Sequence, residues 1–270
     1  KKTTFCFNKG KGRREKNKLC RRPVSALVGN FPKPLKHRPS LLTYSHVETL
    51  FHEFGHILHV LLSQAKYSTF SGTNVPRDFV EVPSQMLECW LEDEKVLGLL
   101  ASHYKDPTQK IPEDFLKKLK MVRKAHTGTF YRGQIAFAML DLKLHTEINK
   151  KSTVNLIDYT NEILETYYLP NPEESAFATS FGHLVGYGAG YYSYTWAKAI
   201  SADMVSLFEN SAQGFLDQEI GIKLRKTVFE VGESRDVNYS IMAFLGREYS
   251  LKPFLSRLGI RQEYTVTNGP

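Results

Sequence analysis

The chain has 270 residues, 41% of them hydrophobic, which is enough for a sizeable core, and a formal charge of +8 at pH 7. No run of about 18 uncharged apolar residues occurs, the start lacks the apolar stretch of a secretory signal, and Cys6, Cys20 and Cys89 are too few and too widely spaced for a disulfide framework. This argues against a helical membrane protein and a disulfide-stapled secreted domain, and sets the expectation of a soluble chain, cytoplasmic with mitochondrial as the alternative.

Residues 1–38 hold 13 Lys or Arg and a single acid, Glu15, a net of +12 that leaves −4 for the remainder. The stretch KGKGRREKNKLCRR can meet phosphates, but no groove-reading motif accompanies it and no stacking aromatic lies inside it. Neither a nucleic acid nor a membrane is therefore expected as a partner. Residues 1–40 read as a basic segment with a short strand, leading into one helical domain over 41–270.

Next in chain order, VSALVGNF (Val24 to Phe31) is a β-type run closed by Pro32, Pro34 and Pro39. Beyond it the apolar residues recur with helical period, which predicts helices over 45–64, 81–100, 112–124, 128–145, 153–166, 191–209, 215–231 and 237–244. The fold class is mainly α with a short β segment near the N-terminus. Two glycine-bearing stretches interrupt the pattern, FSGTNVPRDF at 70–79 and FGHLVGYGAGYYSY at 181–194.

The first helix opens on Ser45 with Glu48 three residues on, a capping-box spacing, and contains HEFGH at 52–56. One turn advances 3.6 residues, so His52 and His56 share a face within reach of one ion, while Glu53 lies about 100° around and can address a water on that ion. This is the geometry of H-E-x-x-H zinc hydrolases, in which three protein ligands leave a fourth position for a water whose proton the glutamate takes. The metzincin continuation would need Gly at 59 and His at 62, but the chain has His59 and Leu62, so the third ligand must come from further on. Glu81, in DFVEVPSQMLECW, is the candidate, carried in the first turn of a second helix for which Asp78 is a possible cap. By spacing alone Glu81 is equally the second half of an Asp-x-x-Glu capping box. Glu88 and Glu92 are rival carboxylates, ranked lower as solvated groups or as groups behind the ligands. His59 returns to nearly the same face as His52 and reads as a core or supporting residue, since a fourth protein ligand would close the site to water.

HEFGH, followed by FSGTNVPRDFVEVPSQMLE and later by FGHLVGYGAGYYSYTWA, resembles the thimet oligopeptidase family, in the family's order, from about Val24 to Leu258. The resemblance implies a zinc endopeptidase that cuts short peptides in a channel between two mostly helical lobes, with zinc, one per chain, on His52, His56 and Glu81 and with Glu53 as general base. It further implies that the glycine-rich stretch brings His183, Tyr187 and Tyr194 to the substrate; by composition, the flexible backbone at Gly186 and Gly190 can approach a bound peptide closely. Family members are far longer than this chain, which resembles only the C-terminal part of their catalytic region; an N-terminal lobe of the same protein is the implied partner. The alternative is a fragment or inactive relative that holds peptides without cutting them.

Tyr191, Tyr192 and Tyr194 leave the start of a helix at different angles, so they cannot all face one site; Tyr194 is taken as the one that does. A phosphate-binding loop is the rival reading of the glycines, but neither G-x-G-x-x-G after a strand nor G-K-[ST] is present.

Overall fold

The computed structural model describes residues 23–149, 153–172 and 175–260. Residues 1–22 of the basic segment, with Cys6 and Cys20, lie outside the described residues. The described residues are mainly helical, in chain order α1 (Tyr44–Leu62), α2 (Arg77–Glu88), α3 (Glu94–Leu100), α4 (Glu113–Ala125), α5 (Thr127–Thr146), α6 (Leu156–Tyr167), α7 (Phe177–Ser180), α8 (His183–Gly186), α9 (Ser193–Glu209), α10 (Gln218–Leu224), α11 (Val237–Leu245) and α12 (Lys252–Arg257). No helix among them is long and apolar enough to cross a membrane.

Several helices start where a side chain takes over an otherwise unpaired backbone N–H. Asp93, Asn155, Asp217 and Asp236 cap α3, α6, α10 and α11 in this way. At α1 the cap is Thr43 rather than Ser45: its side chain accepts from the His46 N–H while the His46 ring accepts from the Thr43 N–H. The expected Ser45–Glu48 box is displaced because this reciprocal pair forms two residues earlier.

Two further expectations are corrected. Residues 23–31 alternate between partly buried and exposed, as a strand would, yet no strand forms there; the backbone pairing nearby is a single Leu35–Arg38 bridge. A strand exists only where a second chain segment completes its hydrogen bonds, and none among the described residues lies alongside. The helix expected over 81–100 begins earlier, at Arg77 after Pro76, and breaks into a 3₁₀ turn at Cys89–Glu92 before α3. Asp78 is thus in its first turn rather than its cap, and Glu81 is one turn further in. Pro83 lies inside α2, where it lacks the N–H that would bond to Phe79. The helix persists because α2 is buried on several sides.

The core explains that tolerance. Phe79, Val82 and Met86 of α2 pack against Ala197, Ile200, Met204 and Phe208 of α9, with Val228, Phe229, Ile241 and Phe244 closing the far side. Each large side chain fully buried here contributes on the order of 1.5–3 kcal/mol, so two or three of them outweigh a proline in the helix interior at about 3 kcal/mol. A second cluster joins α5 to α6 through Ala136, Leu140, Ile163 and Leu164, with Phe137, Phe177 and Phe181 packed against it. A third lies around Leu91, Leu97 and Leu116. Polar ties fix the register of α9: Ser201 Oγ donates to Val82 O at 2.9 Å, and the buried Asp203 accepts from both terminal nitrogens of Arg247 and from the Ser250 N–H.

Candidate metal centre

The α1–α2 contact brings the candidate ligands together. At Gly55 the two helices touch backbone to backbone: a Cβ there would lie 2.5 Å from Ser84 Cα and 2.9 Å from Pro83 O. With the helices this close, His52 Nε2 and His56 Nε2 each stand 3.2 Å from Glu81 Oε2. One ligand atom from each of the three residues lies within 4.8 Å of the others, the one such grouping found among the described residues. The imidazole planes are nearly perpendicular, with centroids 5.1 Å apart, so both Nε2 atoms address one point.

Supporting groups hold this arrangement. His52 Nδ1 lies 2.7 Å from Glu88 Oε1, so its N–H donates to the carboxylate and Nε2 faces the cluster. Glu88 in turn accepts from Lys198 Nζ at 2.5 Å, and Ser84 Oγ donates to Glu81 Oε2 at 2.9 Å. Burial opposes a charged His52 ring, yet hydrogen bonds to Glu81 and Glu88 and their charges outweigh it and push its pKa up to about 10. Burial likewise opposes ionised Glu81, but hydrogen bonds from His52 and His56 hold its carboxyl well below the usual range. Lys198 balances Glu88, and a metal ion at the cluster would take the place of the proton that His52 shares with Glu81. Two imidazole nitrogens and one carboxylate oxygen form a donor set that suits zinc with one position open.

Glu53, partly buried, follows His52 on α1, and both line a cleft of about 1370 Å³ together with Glu48, Glu88, Tyr131 and Lys198. His56, Glu81 and Tyr194 are not among its walls, so the cleft reaches the cluster from the His52 side.

The glycine-rich stretch lies across from α2. Tyr194 is in the first turn of α9, and Gln85 Nε2, one turn beyond Glu81, donates to its backbone carbonyl at 3.1 Å. Burial and the charge of Glu81 push the Tyr194 phenol up, which keeps it a donor at neutral pH. Its Oη stands 3.5 Å from His183 Nε2, at the outer limit of hydrogen bonding. Tyr187 is about half exposed, with the Arg77 guanidinium 5.0 Å over its ring and the His183 ring 5.7 Å away. Gly190 sits against Tyr187 O and Arg77, whereas Gly186 has open space where a side chain would be. Tyr191 turns into the aromatic cluster, and exposed Tyr192 reaches Asp78 at 3.5 Å.

His59 is fully buried against Phe229; burial pushes its pKa down to about 3, and it is a neutral core residue rather than a ligand. Glu92 pairs with Arg257 at 2.8 Å. Glu88 holds the candidate ligand His52 and is not itself part of the three-residue cluster, and the parts that spacing did not show are Gly55, Lys198 and Gln85.

Gly55→Ala tests the close approach. Extra volume in a packed site costs roughly 1–3 kcal/mol, and here the obstacle is backbone that cannot rotate away. The expected result is a lower melting temperature and zinc affinity reduced at least about tenfold, since displaced supporting groups cost 10–100-fold in metal binding. Chelator competition measures it; unchanged affinity and melting temperature would show that the helices separate without disturbing Glu81.

Comparison with known proteins agrees with this geometry. The model of peptidase family M3 matches residues 1–260. A thimet-like oligopeptidase of Dictyostelium discoideum is 39% identical over 241 residues, 88% of this chain and 35% of its own length. Saccharolysin of Saccharomyces cerevisiae is 38% identical, covering 88% of this chain and 34% of that protein, and oligopeptidase A of Escherichia coli is 33% identical, covering 89% and 35%. The chain thus spans about a third of the length of these curated relatives. Because the family model covers nearly the whole sequence, including the helix pair that carries the ligand cluster, the chain belongs to peptidase family M3, the family of the thimet-like oligopeptidases.

Proposed function

We propose that this chain carries the catalytic centre of a zinc-dependent endopeptidase that hydrolyses short peptides. The observation that supports it most is the convergence of His52 Nε2, His56 Nε2 and Glu81 Oε2, with Glu53 adjoining on the same helix. When bound, zinc supplies Lewis acidity and brings the pKa of a coordinated water towards about 7. Glu53 accepts the proton of the attacking water and can return it to the leaving amine. Tyr194 donates a hydrogen bond to the carbonyl oxygen as negative charge develops on it, with His183 as the neighbouring donor. Tyr187, Gly186 and Gly190 line the substrate's path. The names of the relatives refer to oligopeptides, which favours short peptides as the substrate class here. The rest of the channel is proposed to come from an N-terminal lobe, because the relatives are about three times as long as the matched part.

The test is metal content with turnover. One zinc per chain is expected after supplementation at neutral pH, and His56→Ala is expected to empty the site, because Glu81 and one imidazole cannot hold the ion alone. Absence of zinc from the supplemented wild-type protein would overturn the ligand assignment. Zinc at one per chain without turnover of short peptides would instead identify a peptide-holding relative.

A further inference from the structure

One face of α5 forms a template for the glycine-rich loop. Gln134, Phe137, Asp141 and His145 follow one another at helical spacing and each touches a residue between Gly188 and Tyr191. Asp141 is 1% exposed. Its Oδ1 accepts from the Ala189 N–H at 3.0 Å and its Oδ2 from the Tyr191 N–H at 2.8 Å. Between these bonds Ala189 has φ 55°, the one non-glycine residue with positive φ among the described residues. Such a conformation is unfavourable for a residue with a Cβ and persists only where its surroundings impose it. On one side of it, a Cβ at Gly188 would lie 2.5 Å from His145 Nε2, so the His145 ring occupies the space a side chain would need. His145 Nδ1 is itself held 2.7 Å from Asp141 O and 3.1 Å from Asp141 Oδ1. On the other side, Tyr191 Oη donates to Gln134 Oε1 at 3.1 Å and its ring meets Phe137 edge-on.

The consequence reaches the site through Tyr191. Its ring packs edge-on against His183, with centroids 5.0 Å apart, and lies 5.2 Å from the ring of Tyr194. We propose that Asp141 is a positioning residue for the peptide-hydrolysing centre: by holding the Ala189 and Tyr191 amides it sets the loop so that Tyr191 wedges His183 and Tyr194 towards the ligand cluster. The assignment rests on the proposed function. Asp141 touches no reacting atom; it acts through Tyr191. A buried carboxylate suits the task, because it offers a separate acceptor oxygen to each of the two backbone donors. Asparagine is nearly the same shape but turns an N–H₂ towards one of them.

The experiment compares wild type, Asp141→Asn, Tyr194→Phe and the double variant in the full-length, zinc-loaded protein, measuring kcat and KM on a fluorogenic peptide, zinc content, and amide exchange across 187–194. For Asp141→Asn the expected results are zinc still at one per chain, faster exchange at Ala189 and Tyr191, and kcat lower by about 10 to 100-fold with KM within about threefold, as for a misplaced catalytic group. In the Tyr194→Phe background the same change should cost less than about threefold, because the main donor it positions is already removed and only the weaker one, His183, remains. Asp141→Ala serves as a second variant for the exchange measurement. Unchanged exchange at Ala189 and Tyr191 overturns the proposal even where turnover is absent, and so does an undiminished kcat loss in the Tyr194→Phe background, which would mark a general structural role. Glu53→Gln separates this from the parent reading: if that variant retains turnover, the centre has been misread, whereas if it is inactive and Asp141→Asn has wild-type kcat, only the positioning role fails.

Discussion

Glu53→Gln is expected to keep zinc at one per chain and to lose nearly all peptide hydrolysis. Glutamine preserves the size of the side chain and its place on α1 next to His52, so the three ligands are untouched. It removes the carboxylate that can accept a proton. General-base contributions usually run to 10²-fold or more, and here the same group would also serve the leaving amine, which places the expected loss at the upper end. The measurement is single-turnover and steady-state hydrolysis alongside metal analysis. Turnover within a factor of about ten of wild type would remove Glu53 from the base role and direct attention to Glu48, the other acid of α1 on the same cleft.

Tyr194→Phe is expected to lower kcat by roughly 10² to 10³-fold, about 2.7–4 kcal/mol of transition-state stabilisation, with little change in KM. The substitution removes one hydroxyl. The ring contacts with Tyr191 and His183 remain available, and the bond from Gln85 goes to the backbone carbonyl, which phenylalanine keeps. Packing and zinc content should therefore survive. Burial and the Glu81 carboxylate both disfavour a phenolate, so the lost group is a neutral donor whose bond strengthens only as charge develops on the substrate oxygen. A kcat near wild type, with folding and metal content intact, would make Tyr194 a wall residue and leave His183 or Tyr187 as the donor.

Periodicity alone determined that the chain is mainly helical and roughly where the longer helices lie, because an amphipathic helix must repeat its apolar residues every 3.6 positions whatever it packs against; the short α7, α8 and α12 it did not show. It also determined that His52 and His56 share a face, since that follows from four residues on one helix; the observed Nε2 atoms both point at Glu81 Oε2. The third candidate ligand was not legible in that way. Spacing left Glu81 open to a plain capping role, and only the family resemblance singled it out, because its distance from the histidines depends on how near α2 comes to α1. That distance is decided at Gly55, by backbone contact with Pro83 and Ser84. The partners of Glu88 and Asp141 were hidden for the same reason: Lys198 is 110 residues from Glu88, and the amides of Ala189 and Tyr191 are 48 and 50 residues from Asp141. No local pattern encodes such pairs; they form when separate helices dock and buried polar groups must find whatever partner the packing brings within reach. The run at 24–31 shows the converse. Its β-type composition is present in the sequence and an alternation in the burial, but a strand needs a neighbour, and tertiary structure among the described residues supplies none.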